Sequence, residues 1–478
     1  MTSVVVVGGG ISGLACAYEL VRGADEPTSA TPQVTVLEAG AIGGKLRTAA
    51  FGDQQVDVGA DGFLTRRPEA AALVTELGCG DQLEPVGAAG AWVFARGRLR
   101  RLPRGLSLGV PTRPRDLVSG DMVGLLGVLG TVRASVDLIA PRPARRTALS
   151  DRAIGPLVAD KLGTRVVDVL VDPLVGGIHA GRVRTMSAAA VFPPLLAAAQ
   201  RRGSLMRALR AAPGDAASTL GPAFLTLRGG LGALPGLLEA ELCARGVAVR
   251  PDAAALGLRR GAPGAQRWNV ETAAGPIACD AVVLATPPGP TAALLVGHDE
   301  NAAVMLGTID AASVATITMR CKVGDVALPE GGTGILVPTG PRGSTSFLTT
   351  AVTFLDRKWP HLATDDYVLV RVSVGRIDDV RFAELDDAEL VERVCNELNE
   401  LLGACAQPVE SIVARFPASF PQYHVNHLVR VEGIESAVHS LGGLTVAGAA
   451  YRGVGIPACI ASGRAAARHV RSWLDDQS

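Results

Sequence analysis

Three glycines near the N-terminus have the spacing of a phosphate-binding loop. Gly8, Gly10 and Gly13 fit the pattern G-x-G-x-x-G, in which glycine permits a tight turn, close approach of the backbone to a pyrophosphate and close packing of the next helix. Glu38 ends the following apolar run, where its carboxylate can accept hydrogen bonds from ribose hydroxyls. The pattern predicts a dinucleotide site, with glycines that only form a turn as the alternative. The other residues of this loop are Gly9, Ile11 and Ser12.

The flanking sequence supplies the elements that such a loop needs. Residues 4–7 are consecutive valines, typical of a strand buried on both faces, and residues 14–20 are apolar at helical spacing. A second apolar run, 34–37, leads into Glu38, so the elements predict a βαβ unit. Residues 23–33, rich in Ala, Thr, Pro and Asp, are typical of a surface loop that lengthens this unit.

Composition restricts the class of partner. The chain has 478 residues, enough for two to four domains at roughly 150 residues each. Apolar residues make up 48%, and 46 basic residues balance 46 acidic ones, which excludes a disordered chain and gives no reason to expect a nucleic-acid partner. A small molecule is therefore the expected partner. Only four basic residues are lysines, so recognition of anions falls mainly to arginine.

The cysteines and the N-terminus indicate a compartment. The eight cysteines include no C-x-x-C pair and no cluster with histidine at metal-ligand spacing, so we expect reduced thiols and no metal. The first residues lack the basic segment and cleavage site of a signal peptide. These features predict a cytoplasmic protein.

The rest of the chain predicts helices and a second sheet. Residues 142–220, which include the segment 188–209, hold several helical patterns separated by Pro and Gly. Alternating apolar and polar residues further on predict antiparallel strands, with a helix at 387–402 against them. A last buried strand, 444–448, precedes a glycine-rich loop and a terminal helix at 460–474. The predicted antiparallel strands are 313–319, 346–354 and 367–374.

FAD and NAD share the first motif, and the residues after it favour FAD. Glu38-Ala39 continues to Gly43-Gly44-Lys45-Leu46-Arg47-Thr48, which resembles the glycine-doublet signature of the flavin amine oxidase and protoporphyrinogen oxidase superfamily. The resemblance implies that the doublet runs beside the FAD pyrophosphate, where a side chain would collide. That superfamily often has arginine after the doublet. Here Lys45 offers a single charged point instead of a planar fork.

Two further loops resemble FAD motifs of the same superfamily. Residues 57–63, Asp-Val-Gly-Ala-Asp-Gly-Phe, resemble its loop near the flavin ring, and residues 446–460 resemble its last FAD motif, where amides at a helix start meet the flavin. A glycine-rich linker is the alternative for each loop taken alone. Cys459 is expected to be a small buried residue, so the flavin would be non-covalent. The further cofactor residues implied by the resemblance are Gly59, Ala60, Asp61, Gly62, Ala255, Ala449, Val454, Gly455 and Ile456.

The resemblance also implies an architecture. We expect an α/β fold with a Rossmann-like FAD-binding domain of the glycine-doublet flavin oxidase type, a mixed-sheet substrate domain and a helical subdomain. The FAD-binding domain would comprise residues 1–75, 221–298 and 430–478. The substrate domain would comprise 76–91 and 299–429, with the helical subdomain at 92–220.

Other segments indicate a branch of the superfamily. Residues 172–181, Asp-Pro-Leu-Val-Gly-Gly-Ile-His-Ala-Gly, resemble the porphyrinogen oxidase signature, and residues 229–235 resemble the element that follows it. Residues 358–360 and 421–427 are similar to the bacterial soluble branch, the coproporphyrinogen III oxidases. The resemblance implies oxidation of coproporphyrinogen III to coproporphyrin III in heme biosynthesis. Six electrons would pass in three hydride transfers from meso carbons to flavin N5, with O₂ as acceptor and H₂O₂ released.

The sequence signal for the residues that would contact the substrate is less specific. The resemblance places Gly177 beside the substrate, where its carbonyl could orient a pyrrole N–H. A glycine needed only for close packing is an equal alternative. The four propionates of coproporphyrinogen call for positive charge, which Arg96, Arg98 and Arg100 could supply, although a solvated basic turn explains them as well. Protoporphyrinogen-specific relatives tend to have arginine where Ala91 aligns, and its absence favours the four-carboxylate substrate.

Several alternatives stay open at this point. Protoporphyrinogen IX oxidation is the first, and another flavin amine oxidase or a flavin-free binder like the Rab GDP-dissociation inhibitors is the second. No general base is obvious, because His179, His424 and His427 are each expected to be structural. The uncharged stretch 122–132 fits a core helix best, with a dimer contact or a weak membrane contact as alternatives. A heme-pathway enzyme partner and the oligomeric state are left open.

Overall fold

The structure is a computed structural model, and its description covers most of the chain. Two compact units are formed from separate stretches of sequence, residues 1–84, 224–310 and 428–478 in the first and residues 85–223 and 311–427 in the second. The predicted surface loop at 23–33 falls largely outside the described residues. The described ranges are 2–22, 31–87, 90–141, 151–201, 203–211, 222–262, 266–338, 347–404 and 407–477.

A five-stranded parallel sheet forms the centre of the first unit. Its central strand, Ser3–Val7, carries the predicted run of valines, whose side chains alternate between two cores: Val4 and Val6 pack on one face, Val5 and Val7 on the other. This burial on both faces explains why residues 4–7 of the strand are all apolar. The strand order is Ala248–Arg250, Gln33–Leu37, Ser3–Val7, Ala281–Leu284 and Leu444–Val446.

Two helices pack closely on one face of this sheet. The helix Ile11–Val21 follows the glycine loop, and the C-terminal helix Ile456–Asp476 lies against it. A Cβ atom at Gly463 would lie 2.1 Å from the carbonyl oxygen of Ser12, so the helices approach as closely as glycine allows. The predicted βαβ unit is therefore present. The C-terminal helix that packs on this unit begins at Ile456, four residues before the start that the apolar pattern predicted.

The first unit contains smaller elements around the sheet. A hairpin joins Thr48–Phe51 to Gln54–Asp57, and a three-stranded antiparallel sheet consists of Gly257–Arg260, Trp268–Glu271 and Ile277–Cys279. The remaining strands are Phe63–Leu64, Leu83–Pro85 and Phe224–Leu227. The remaining helices are Glu69–Glu76, Ala233–Ala244, Pro288–Leu295, Glu300–Gly307 and His427–Ser440.

Two stretches that we expected in the substrate domain lie in the first unit. Residues 76–84 are tied to it by Arg228, whose backbone N–H donates to Gln82 O at 2.8 Å and whose guanidinium pairs with Glu84. Residues 299–310 contribute buried side chains to its core through the helix Glu300–Gly307. The division of the second unit into substrate and helical domains remains a prediction.

A seven-stranded mixed sheet forms part of the second unit. The predicted helix at 387–402 is present as Asp387–Leu402, and a reciprocal capping pair between Asp386 and Glu389 fixes its start. The side chains of Leu390, Val394 and Leu398 pack on the core of the sheet. The strand order is Glu410–Pro421, Ala311–Lys322, Tyr367–Val374, Thr349–Phe354, Gly334–Leu336, Trp92–Ala95 and Arg98–Arg101.

The rest of the second unit is mainly helical. The segment at 188–209 is divided into three helices, because Pro193 starts a new helix after Phe192 and Ser204 caps the third. A ten-residue π-helical segment, Val167–Gly176, contains Pro173. The helices are Gly120–Ile139, Ile154–Leu162, Thr164–Val166, Gly177–His179, Ala188–Val191, Pro193–Gln200, Leu205–Arg210 and Leu355–Lys358, and short paired strands lie at Leu106–Ser107 and Val110–Pro111.

The apolar stretch at 122–132 is only partly core. Met122, Leu125 and Leu126 are buried, but Leu129 is 86% exposed and Val132 is 59% exposed. Among the described residues, the helix Gly120–Ile139 is the one long and apolar enough to cross a membrane, a criterion that core helices also meet. The expectation of a core helix thus holds for the first half and is wrong for the second, where a non-helical Gly127 redirects the chain.

Candidate functional site

Two uncapped helix N-termini mark the candidate site in the first unit. The helix Ile11–Val21 begins after Gly10 and the helix Ile456–Asp476 begins after Gly455, and within the described chain no side chain caps either start. The first amides of a helix lack partners inside the helix and carry a partial positive charge. Because the two helices pack together, both starts can serve one anionic ligand.

The glycines of the N-terminal loop are required for different structural reasons. A Cβ at Gly13 would lie 1.9 Å from Gly8 O, and Gly8 itself adopts a φ of +112° with a Cβ position 2.7 Å from Ala285 O. Gly9 is similarly confined, with Ile42 at 2.6 Å. At Gly10, by contrast, no atom of the described residues lies within 4 Å of the Cβ position. Packing therefore explains three of the glycines, and Gly10 opens onto unfilled space.

The glycine doublet lies directly beside this loop. Gly43 adopts a φ of +110° and donates its N–H to Gly9 O at 3.0 Å, and a Cβ at Gly44 would be 3.6 Å from the Cα of Gly10. Two glycine segments distant in sequence thus form one continuous backbone surface. The side chain of Lys45, next to the doublet, is exposed.

Glu38 is held in place by the loops it follows. One carboxylate oxygen accepts from Gly9 N at 2.7 Å and the other from Gly40 N at 3.2 Å. Each oxygen retains a lone pair that a ribose hydroxyl could use. The half-buried Ala255 follows the neighbouring strand Ala248–Arg250, in a segment whose Ala253 N–H donates to Glu38 O at 2.7 Å, while Ala39 is exposed.

The loop at 57–62 depends on a residue whose role the sequence did not reveal. Asp57 accepts from Thr48 Oγ1 at 2.7 Å, from Leu231 N at 2.9 Å and from Gly232 N at 3.2 Å. Burial raises the pKa of Asp57, while these hydrogen bonds oppose that shift. The carboxylate thereby ties this loop to the start of the helix Ala233–Ala244. In the loop itself Asp61 is buried, and Gly59, Ala60 and Gly62 are half-buried.

The last glycine-rich loop ends at the second helix start. Gly448 N–H donates to Ser462 Oγ at 3.0 Å, and Arg452 pairs with Glu435 at 3.1 Å, so the loop is anchored at both ends. Cys459 is buried, and burial raises the pKa of its thiol. Such a thiol stays protonated and unreactive at neutral pH. Of the cofactor residues predicted in this loop, Gly455 is exposed, Ala449 and Val454 are half-buried, and Ile456 is buried.

Gly177, in the second unit, differs from its neighbour Gly176. A Cβ at Gly176 would lie 2.8 Å from Gly181 O, whereas at Gly177 no atom of the described chain lies within 4 Å. Close packing, the alternative considered for Gly177, therefore explains the glycine at position 176 and not the one at position 177. Gly177 and Ile178 are exposed, and the Gly177 carbonyl accepts a long 3.4 Å hydrogen bond from Ala180 N.

The histidines of the motifs have structural partners. His179 Nδ1 lies 3.0 Å from Val175 O, to which it donates, and burial lowers the pKa of His179. The ring of His427 is fully buried and stacks on Tyr423 with ring centres 3.9 Å apart. His424 pairs through its backbone with Met186. Among the described residues, no group of three His, Cys, Asp or Glu side chains could hold a metal.

The three arginines lie on a β-hairpin. Strands Trp92–Ala95 and Arg98–Arg101 are joined by a turn at Arg96 and Gly97. Arg98 is exposed. The guanidinium of Arg96 lies 3.2 Å from the Cβ position of Gly127, and that of Arg100 lies still closer to the Cβ position of Gly124, so both rest on the helix Gly120–Ile139.

Comparison with known proteins gives a consistent result. The family model "Flavin containing amine oxidoreductase" matches residues 11–471. The chain is 29% identical to the coproporphyrinogen III oxidase of Bacillus subtilis (strain 168), with 98% of each chain covered. It is 33% identical to the enzyme of that name from Mycobacterium tuberculosis (strain ATCC 25618 / H37Rv), covering 99% of this chain and 98% of that one. A crystal structure named "Putative protoporphyrinogen oxidase", from Exiguobacterium sp. 255-15, superposes with a TM-score of 0.86 at 29% identity, covering 98% of this chain and 99% of that one.

Proposed function

The chain belongs to the flavin-containing amine oxidoreductase family, and from this premise we propose that it oxidises coproporphyrinogen III to coproporphyrin III, with FAD as cofactor and O₂ as electron acceptor. The observation that carries the proposal is the length of the match. Relatives named coproporphyrinogen III oxidase align over 98–99% of this chain, including both the cofactor loops and the segment around Gly177.

The cofactor loops fit FAD. The space at Gly10 would receive the pyrophosphate, because a Cβ there meets none of the described atoms and the helix Ile11–Val21 begins beside it. The doublet Gly43-Gly44 would form the second wall of this site, and Glu38 would accept hydrogen bonds from the ribose. The start of the helix Ile456–Asp476 would offer amides to the carbonyl edge of the flavin.

The protein contributes binding and orientation. When bound, FAD supplies a two-electron hydride acceptor that O₂ reoxidises with release of H₂O₂, and three rounds remove the six electrons. The loops of the first unit would hold the cofactor without a bond to Cys459, because burial raises the pKa of this thiol and keeps it protonated. Each transfer requires the reacting atoms to lie about 3–3.5 Å apart, so orientation of the macrocycle is the main task of the chain.

On the substrate side, we assign orientation to Gly177. Gly177 is exposed, and its carbonyl, which accepts a long 3.4 Å hydrogen bond from Ala180 N, could also accept a pyrrole N–H. The absent side chain would leave room for the macrocycle. The basic hairpin would attract the propionates, because Arg96 and Arg98 are exposed and Arg100 is half-buried against the helix Gly120–Ile139. Their charge would favour a substrate with four carboxylates over one with two.

A direct comparison of two substrates tests the proposal. The purified protein, with its flavin absorbance measured, is supplied in air with coproporphyrinogen III or protoporphyrinogen IX, and porphyrin fluorescence and peroxide are followed. We expect a higher kcat/KM for coproporphyrinogen III. A higher value for protoporphyrinogen IX would transfer the proposal to that substrate, and a protein that binds no flavin would overturn it altogether.

A further inference from the structure

The exposed Gly177 belongs to a tightly folded turn between two other glycines. Gly181 N–H donates to Gly176 O at 2.9 Å, and neither glycine tolerates a side chain. A Cβ at Gly176 would meet Gly181 O at 2.8 Å, and one at Gly181 would meet Gln422 Oε1 at 2.1 Å. The tip of this turn is Gly177–Ile178, and Ile178 is an apolar side chain that is 49% exposed. The backbone contacts therefore fix the shape of the turn and leave its tip facing outward.

A buried ion pair lies beneath the turn. Arg376 is 1% exposed, and its Nη1 donates to Asp172 Oδ2 at 3.0 Å. The other oxygen of Asp172 accepts from Val183 N at 3.1 Å. Nε and Nη2 of Arg376 are buried and have no hydrogen-bond partner in the described part of the chain. Asp172 Oδ2 also lies 3.6 Å from Arg182 Nη1, so this carboxylate faces two arginines. Arg376 lies 204 positions from Asp172 in the sequence.

The turn is attached to other segments of the unit as well. Ile377 N–H donates to Ala180 O at 2.8 Å, and Arg182 pairs with Asp378 at 2.9 Å. Gln422 Nε2 donates to His179 O at 2.9 Å. The residues on both sides of the Gly177–Ile178 tip are therefore bonded to the loop after the strand Tyr367–Val374 and to the end of the strand Glu410–Pro421.

We propose that Asp172 and Arg376 are positioning residues, which hold the Gly177–Ile178 tip as a rigid apolar support for one face of the tetrapyrrole. This inference rests on the proposed function. A buried ion pair adds little stability compared with an apolar replacement, but removal of one partner leaves an uncompensated buried charge and is strongly destabilising. We expect the backbone that the pair supports to shift in response. A displacement of about 1 Å at a reacting centre can slow the reaction about 100-fold. The pair would thus control substrate oxidation without contacting the substrate.

The first test is Asp172→Asn, measured against Asp168→Asn. Asparagine keeps the size of Asp172 and an acceptor for Val183 N but removes the negative charge that faces Arg376 and Arg182. Asp168, in the same π-helical segment, pairs with Arg184, whose side chain is 47% exposed, so its replacement also removes a carboxylate but not the support of the turn. The measured quantities are flavin content, the anaerobic rate of flavin reduction by coproporphyrinogen III, and the rate of reoxidation of dithionite-reduced enzyme by O₂.

We expect Asp172→Asn to slow flavin reduction at least tenfold, with flavin content and reoxidation within twofold of wild type, and Asp168→Asn to leave all three within twofold. Loss of a buried charge partner is expected to lower the melting temperature in either case, so the kinetic readout distinguishes the two roles. A purely structural role would change flavin content and would slow both half-reactions together. Equal reduction rates in the two variants would overturn the inference. A wild-type protein that does not oxidise the porphyrinogen would instead refute the proposed function.

A second variant keeps the inference testable if Asp172→Asn does not fold. Ile178→Ala removes exposed carbon atoms from the tip, so we expect an unchanged melting temperature. We expect the dissociation constant for coproporphyrin, measured by fluorescence titration, to rise at least fivefold and the reduction rate to fall. Wild-type binding and reduction in Ile178→Ala would show that the tip does not support the macrocycle.

Discussion

Replacement of Gly10 by valine should separate cofactor binding from folding. Gly10 has φ −74° and ψ 174°, an extended conformation that valine adopts readily. No atom of the described residues lies within 4 Å of its Cβ position. Gly10 is the N-cap of the helix Ile11–Val21, where valine is less favourable than glycine, so the substitution should lower the free energy of unfolding by about 1 kcal/mol at most. The apoprotein of Gly10→Val should therefore remain folded and be nearly as stable as the wild-type apoprotein.

Binding of FAD, unlike stability, should be strongly weakened by Gly10→Val. The valine side chain would project into the space beside the helix Ile11–Val21 that we assign to the pyrophosphate, and would keep the phosphates from the first amides. Loss of this close approach should weaken FAD binding at least about 100-fold, equivalent to about 2.8 kcal/mol at 1.4 kcal/mol per tenfold. Gly10→Val should be purified as a folded, nearly colourless protein.

The assay combines flavin absorbance after purification, titration of the apoprotein with FAD and thermal unfolding. Gly236→Ala is the matched control, because Gly236 lies in a helix of the same unit and its Cβ position also has no described atom within 4 Å. It should retain flavin. Gly13→Ala gives the opposite contrast, since its Cβ would lie 1.9 Å from Gly8 O and should lower stability. Wild-type flavin content in Gly10→Val would refute the assignment of the pyrophosphate site.

Three further predictions concern the substrate turn, a histidine pair and a buried carboxylate. Gly177→Ala should melt like wild type but slow flavin reduction by porphyrinogen about tenfold, whereas Gly176→Ala, with its Cβ 2.8 Å from Gly181 O, should lower the melting temperature; equal effects of both on melting would contradict this distinction. The rings of His439 and His469 stack 3.6 Å apart, and burial lowers the pKa of both histidines. The folded state therefore binds fewer protons than the unfolded state, so the free energy of unfolding should decrease as the pH falls below about 6.5. In urea unfolding, the decrease between pH 7.5 and pH 5.0 should be smaller in His469→Phe than in wild type. Asp137 is 1% exposed and accepts hydrogen bonds at the start of the helix Leu205–Arg210, so Asp137→Ala should lower the free energy of unfolding by about 2–3 kcal/mol in denaturant titrations, and an unchanged midpoint would disprove this role.

The parts of the site that could be predicted from sequence are those whose chemistry is local. A run of valines, three glycines at fixed spacing and an apolar helix leave few other conformations, so the strand Ser3–Val7 and the helix Ile11–Val21 lie where the pattern indicated. The sequence could not distinguish Gly10 from Gly8 and Gly13, since that difference arises from the atoms that surround each position. The cofactor and substrate roles of these residues remain proposals.

Contacts over long sequence separations could not be predicted. Asp57 is bonded to Leu231, and Asp172 to Arg376, but nothing near either aspartate in the sequence indicates its partner. The same limit applies to the helix Gly120–Ile139. Its composition predicts burial, whereas Leu129 is exposed, because burial depends on which other elements pack against the helix.

The carboxylates of Asp57 and Asp172 have the same structural effect, because each holds a glycine-containing loop in place. Asp57 is bonded to the start of a helix and Asp172 to a buried guanidinium, and each thereby fixes a glycine-containing segment that has almost no side chains of its own to hold it. A loop that must leave room for a flat ligand cannot be stabilised by its own packing, because the side chains that would pack are those that would fill the site. Charge-assisted hydrogen bonds to the backbone and to arginine provide rigidity without occupying that space. We therefore expect the residues that hold such loops to lie behind them and to be charged and buried, where sequence reasoning from the loop alone does not reach.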